Sequence, residues 1–390
     1  MNDSSVIVAG FIPLLDCAPL VVASECGFAQ NEGIELTLVR ETSWANIRDR
    51  IVVGHFDVAH MLGPMAVAST LGIGHLKVPI VAPFSFGLGG NAITVSLALW
   101  RDMTLHGAGV SASPAVQGAA LKQVVAERMA SKRPPLTFAM VYPFSSHNYL
   151  LRYWLASCGI DPDQDVRLVV LPPPLLVDAM REGQIDGFCV GEPWNSLAVS
   201  VGVGCIVAAT AAIWRHAPEK VLACRHEWAQ RSPDRLQRLL RALSKAAHWC
   251  AAPENRRELA RLLSDPRYVG APADILSRGL SNELGLIPAG AARAIPYFYE
   301  VAGHRANYPL RSHALWFYSQ MVRWKQIEYS EELQAAATET YRPDIYHAAL
   351  QLDELEIPSA SREDRGFFDE IPFDASDIRR YLSSLRAPVE

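Results

Sequence analysis

Five places in this 390-residue chain combine residue types and spacing that could do chemistry. The stretch Phe144 to Trp154 reads FSSHNYLLRYW. Ser145 and Ser146 stand where a helix would begin, and serine oxygens accept bonds from the free backbone N–H groups there. Leu150, Leu151 and Trp154 follow as an apolar stripe at helical spacing. His147 and Asn148 are then either ordinary first-turn residues or, together with those N–H groups, a cradle for an anion. Trp44 begins a helix just after a strand and is either a core residue or an indole donor facing a ligand. His60 follows a strand ending at Ala59 and is either a structural hydrogen-bonder or a ligand contact. Gly89-Gly90-Asn91 is either a plain turn or a place where backbone amides and a side-chain amide are offered. Lys220, in HAPEKVLAC, lies in a polar turn entering an apolar strand. It is either a solvated partner of Glu219 or a cation lining the same site.

None of this completes a catalytic set. There is no GxSxG elbow and no P-loop, and His147 with Asp161 or Asp165 lacks a nucleophile and an orienting group. GLGGNA fits a loosened dinucleotide fingerprint, but the ITVS after it reads as strand where a helix is required. Seven cysteines are scattered without a CxxC pair or zinc-finger spacing, so they read as reduced, mostly buried thiols and point to the cytoplasm. The reading is therefore of a non-enzyme with no cofactor and no metal. A net charge of −5 gives no electrostatic support for a nucleic-acid or acidic-membrane partner. The first basic residue is Arg40, and Asp16 interrupts the early apolar run, so no export signal is expected in the sequence as it stands. No segment offers the roughly 18 or more apolar residues of a membrane helix.

The elements that must position these residues alternate. Strands are expected at Val6 to Phe11, Ile34 to Val39 and Phe56 to Ala59, with helices from Ala18 and from Ser43-Trp44 between them. His60-Met61-Leu62-Gly63-Pro64 reads as the turn after the third strand. Further strands are expected at Pro79 to Pro83, in ITVS, and at Leu136 to Val141, Val166 to Leu171 and Gly187 to Val190, with helices at Ala115 to Ser131 and Leu175 to Gly183. Ser232-Pro233 opens a long amphipathic helix, and the chain beyond it is mostly helical. Two β-α-β sets imply parallel sheets and two lobes, and a cleft between lobes is a common ligand site. The tail from Leu352 is acidic and proline-spotted, and reads as a loop-rich wrap over one lobe.

Together these segments resemble the nitrate/bicarbonate-binding protein family of ABC-type uptake systems. The motifs that carry the resemblance are GFIPLLDCAPLVVASECGFAQNEGIELTLVRETSWANIRDRI, AHMLGPM, GNAITVS, SHNYLLRYWLASCGIDPDQDV, DGFCVGEPWN and HAPEKVLACRHEWAQRSPD, in the family's order across most of residues 6 to 330. The resemblance implies an α/β, two-lobed periplasmic-binding-protein fold of type II. One lobe would be 1–93 with 217–390, and the inserted lobe 94–216. It implies a small anion bound at the lobe interface. Trp44, the Gly90-Asn91 turn, His147, Pro173 and Lys220 match family positions near the ligand, and His60-Met61 falls where the family places a polar or aromatic pair.

Nitrate has three acceptor oxygens and no proton to give, so its site wants donors only. Bicarbonate carries an O–H, and the bicarbonate branch resembles a site with an added carboxylate or a metal. Lys220 therefore points to nitrate or nitrite. The missing leader resembles the cytoplasmic nitrate-sensor branch, whose members hold an ANTAR-type RNA-binding regulator and release it on binding nitrate or nitrite. That sensor role is the expectation. The alternatives are the binding component of a nitrate or bicarbonate transporter and, further off, an enzyme of the thiamine-pyrimidine synthase type.

Overall fold

The computed structural model describes residues 5–74, 76–352 and 366–385. Within these the chain divides into two units: 5–88, 218–273 and 300–352 form unit 1, and 89–217, 274–299 and 366–385 form unit 2. Each has its own five-stranded sheet. In chain order the strands are β1 (Val6–Phe11), β2 (Glu35–Arg40), β3 (Val58–Leu62), β4 (Ile80–Ser85), β5 (Asn91–Ser96), β6 (Leu136–Met140), β7 (Val166–Val170), β8 (Gly187–Gly191), β9 (Gly204–Ala209) and β10 (Lys220–Arg225).

The sheet of unit 1 runs β2-β1-β3-β10-β4. β1 is parallel to β2 and β3, while β10 is antiparallel to both β3 and β4. Its central strands are short apolar runs because helices cover them and leave no wet face for polar residues to alternate onto. One cover is the helix Ala18–Glu25, which ends where Gly27 takes a left-handed φ of 80° that a side chain would resist. Against it packs the helix Pro233–Ala251, whose Leu236, Leu239, Leu240, Leu243, Ala247 and Cys250 are buried as their spacing predicts. Ser232 precedes that helix, but its side chain makes no cap bond. The helix Trp44–Val52 starts where expected, and Ser43 caps it, its Oγ accepting from the amide of Asn46. His60 departs from expectation: it lies inside β3 rather than in a turn after it, fully buried.

The sheet of unit 2 runs β9-β5-β8-β6-β7, with β6 parallel to β8 and β7, and β5 antiparallel to β8 and β9. GNAITVS is indeed a strand. Residues beyond 217 also join this unit, contrary to the expectation that all of 217–390 belongs with the first lobe. A hairpin of Glu283–Gly285 and Ala292–Ala294 lies in it. So does part of the tail: Phe367 stacks on Trp214 with ring centres 4.6 Å apart, and Asp369 accepts bonds from Tyr153 and Ser157. An aromatic ring and a carboxylate thus decide where the tail packs, and neither leaves a periodic signal in the sequence. The rest of the expected acidic wrap, 353–365 and 386–390, lies outside the described residues. Among the described residues no helix is long and apolar enough to cross a membrane.

The tightest packing on β1 is at Gly10, where an added Cβ would overlap the ring of Phe56. Both lie in the buried core, so neither can move aside into water. Gly10→Val is expected to destabilise the protein by about 1–3 kcal/mol, seen as a lower urea midpoint with an unchanged slope.

Candidate functional site

Five strand ends converge in unit 1. β1, β2, β3 and β4 all point their carboxyl ends the same way, and antiparallel β10 begins there. Asp16 follows β1, Trp44 follows β2, His60 sits near the end of β3, Phe86 follows β4, and Lys220 opens β10. This end of an open α/β sheet is where loops and helix starts are free to form a site. The backbone fixes the arrangement tightly: Phe86 N donates to Lys220 O at 2.9 Å, and Gly63 N donates to Glu219 O at 3.1 Å.

The side chains form a buried ion cluster. Lys220 Nζ stands 2.8 Å from Asp16 Oδ2 and 2.8 Å from Glu219 Oε2. His60 Nε2 stands 3.0 Å from the other Asp16 oxygen. Lys220 and His60 are fully buried, and Asp16 and Glu219 nearly so. An isolated charge here would be very costly, so the opposite charges must hold one another. Burial pushes the Asp16 carboxyl up, but the Lys220 ammonium and His60 more than offset this and hold it well below the usual carboxylate range. Burial pulls the Lys220 ammonium down, and Asp16 and Glu219 overcome that to raise it. For His60 burial wins: its pKa is lowered despite Asp16, with Lys220 adding to the fall, which favours the neutral imidazole. Trp44 and Phe86 flank the ring of His60, with centroids 5.6 and 5.2 Å away. The indole Nε1 of Trp44 is buried with no hydrogen-bond partner among the described residues.

Trp44, His60 and Lys220 are thus brought together, but Lys220 is neither a solvated lysine nor a bare cation. Asp16 and Glu219 already hold its ammonium, so the donor-only surroundings expected for it are not met. Asp16 was missed as a site residue. Its signal was available, a single carboxylate in the apolar run FIPLLDCAPLVV.

In unit 2 the remaining candidates also share one sheet end. His147 lies in the first turn of the helix Ser146–Ser157 beyond the carboxyl end of β6, and Pro173 lies beyond that of β7. Gly90 and Asn91 stand at the start of antiparallel β5, where Asn91 pairs with Gly191 at the end of β8. His147 and Asn91 are fully buried. Ser145 is the cap: its Oγ accepts from Asn148 N at 3.0 Å and donates to Tyr142 O at 2.6 Å. Asn148 is structural, its Nδ2 donating to Pro143 O and its Oδ1 accepting from Arg152. The glycine amides are already engaged. Gly89 N donates to Ala217 O, Gly90 N to Phe298 O, and Gly90 O accepts from Glu192 N. Both glycines have positive φ, and a Cβ on Gly89 would strike Phe298 O. The turn is therefore a backbone clasp rather than a row of open amides.

The two sheets, each with one strand running against its neighbours, have the two-lobed periplasmic-binding-protein fold of type II. The same fold is seen in the crystal structure of the periplasmic nitrate-binding protein NrtA from Synechocystis PCC 6803, with a TM-score of 0.89 at 29% identity, covering 98% of this chain and 99% of that one. The NMT1-like family profile matches residues 2–264, and the chain belongs to that family. It is 33% identical to the nitrate/nitrite binding protein NrtA of Nostoc sp. over 97% of this chain and 84% of that protein. It is 38% identical to the nitrate import ATP-binding protein NrtC of Synechocystis sp. over 96% of its length, but spans only 54% of NrtC, about half of that relative.

Asp16 is expected to be the keystone of the unit 1 cluster. Its depressed pKa means that its contribution is complete above the ordinary carboxylate value of 3.8 and is lost as pH falls below it. Asp16→Asn should cost about 3–5 kcal/mol at pH 7, the range for breaking a buried pair. Urea denaturation at pH 7 and at pH 3 should show the gap between variant and wild type narrowing in acid.

Proposed function

We propose that this chain binds nitrate or nitrite and serves as the solute-binding component of an ABC-type uptake system. The observation that carries the reading is its likeness to NrtA, in sequence across 97% of the chain and in fold across 98%. The site chemistry is consistent with it. The buried indole N–H of Trp44 has no partner among the described residues, and a flat anion with three acceptor oxygens would supply one. The resemblance adds Gly90, Asn91, His147 and Pro173 of unit 2 as further contacts. The relatives carry transport names, which favours uptake over the cytoplasmic sensor and its ANTAR-type regulator, a role that rests on resemblance alone. They also favour a binding protein over an enzyme.

Bicarbonate is the second reading. The two carboxylates against Lys220 support it, because a ligand with an O–H needs an acceptor and nitrate does not.

Calorimetry with nitrate, nitrite and bicarbonate separates these readings. Nitrate and nitrite are expected to bind, and Trp44→Phe should weaken them about tenfold or more, since a hydrogen bond to a charged group is typically worth about 1.5–3 kcal/mol. Trp44 is buried, so the smaller ring leaves a cavity, and melting curves should show a lower but still cooperative transition, which separates weaker binding from misfolding. His147→Ala should also weaken binding. Binding of bicarbonate alone would move the assignment to the second reading, and binding of none of the three would overturn both. A co-purifying regulator released by nitrate would restore the sensor role.

A further inference from the structure

Beside the unit 2 candidates stands a residue of the DGFCVGEPWN motif that was not among the expected site residues. Glu192 follows β8 at the sheet end that carries His147, Asn91 and Pro173. Its backbone N donates to Gly90 O at 2.9 Å, which ties it directly to the Gly90-Asn91 clasp. The side chain is 1% exposed. Its Oε2 accepts from Ser196 N at 3.3 Å, while Oε1 has no hydrogen-bond partner among the described residues. Two residues on, Trp194 Nε1 is also buried without a partner. A buried carboxylate without a cation beside it is costly, and the neutral acid removes that cost while gaining one O–H to give.

We propose that Glu192 is a further ligand-binding residue, whose uncharged carboxyl donates its O–H to an oxygen of the captured anion alongside Asn91 and His147. This rests on the nitrate or nitrite reading and extends it. An oxyanion that brings only acceptors suits a protonated acid, and an ionised Glu192 would repel it.

The surroundings favour the neutral form. Burial pushes the carboxyl up to about 7, offset in part by Ser196 and Asn195 and by the charge of Arg278. Among the elements packed on β8 and the turn after it, β5 and β6 carry no ionisable side chain. β9 brings Cys205, the helix Ser146–Ser157 brings His147, Tyr149 and Arg152, and the helix Ala273–Ser281 brings Arg278. The charged side chains of the helix Leu176–Arg181 and of the strand Glu283–Gly285 are exposed.

Calorimetric titration with nitrate and nitrite from pH 6 to pH 8 tests the proposal in the wild type, Glu192→Gln and Glu192→Leu, with circular dichroism and melting curves to confirm folding. Wild-type affinity should fall about tenfold across this range as the acid ionises. Glu192→Gln keeps a neutral donor and should bind with a flat pH profile. Glu192→Leu, folded, should bind about tenfold or more weakly throughout. A flat wild-type profile overturns the inference, as does a Gln variant that keeps the wild-type slope or a folded Leu variant with wild-type affinity, and each leaves the nitrate reading standing. A wild type that binds neither anion overturns both.

Discussion

The buried contact between Lys220 and the carboxylates of Asp16 and Glu219 constrains unit 1 more than any other interaction. Taking charges out of water costs several kcal/mol per ion, and only close pairing recovers it. Lys220 starts β10, Asp16 follows β1, and His60 on β3 touches the second Asp16 oxygen. Those strands can therefore shift against one another only by leaving a charge unpaired. The apolar contacts around the cluster tolerate small changes of shape, whereas the ion pairs do not. This fixes the sheet register at the end where Trp44 and Phe86 flank the imidazole.

The cluster also bears on how a negative ligand would be received. Two carboxylates face one ammonium, and His60 is pushed toward its neutral form. Unit 1 thus holds no surplus of positive charge at this place. An anion held near it would depend on directed hydrogen bonds, such as that of the Trp44 indole, more than on net attraction. Directed donors distinguish ligand shapes better than a point charge does.

Much of the architecture was legible in the sequence. Apolar runs marked most strands to within a residue or two, though the third runs three residues further than expected and Gly204–Ala209 gave no signal. Ser145 caps its helix as read, because capping is local chemistry, whereas Ser146 and Ser232 make no cap bond. Long-range pairing was not legible. His60 looked like the residue after a strand because a histidine interrupts the apolar run and Gly63-Pro64 follows, yet Asp16 makes it tolerable inside β3. The pairing of Lys220 with its neighbour Glu219 was legible, but the contact with distant Asp16 was not. Asp369 and Phe367 carried no hint that they would pack on the helix Ser146–Ser157. The glycine turn was legible as a turn, but the partners of its amides come from distant parts of the chain. Glu192, in GEPWN, had no visible reason to be buried.

The division of unit 1 into separate stretches of chain has a consequence for how the protein is made. Asp16 and His60 leave the ribosome early, and the whole of the second sheet is synthesised before Lys220 appears. Until then β3 has no β10 beside it, and the Asp16 carboxylate has no ammonium to meet. The β5-to-β9 sheet, whose strands are nearly continuous in sequence, can assemble while the first remains open. Closure of the first sheet then waits on contacts of long sequence separation, the slow kind. During synthesis the nascent chain carries an unfinished strand edge, and the arrival of the strand that Lys220 opens both closes the gap between β3 and β4 and gives the Asp16 carboxylate its cation.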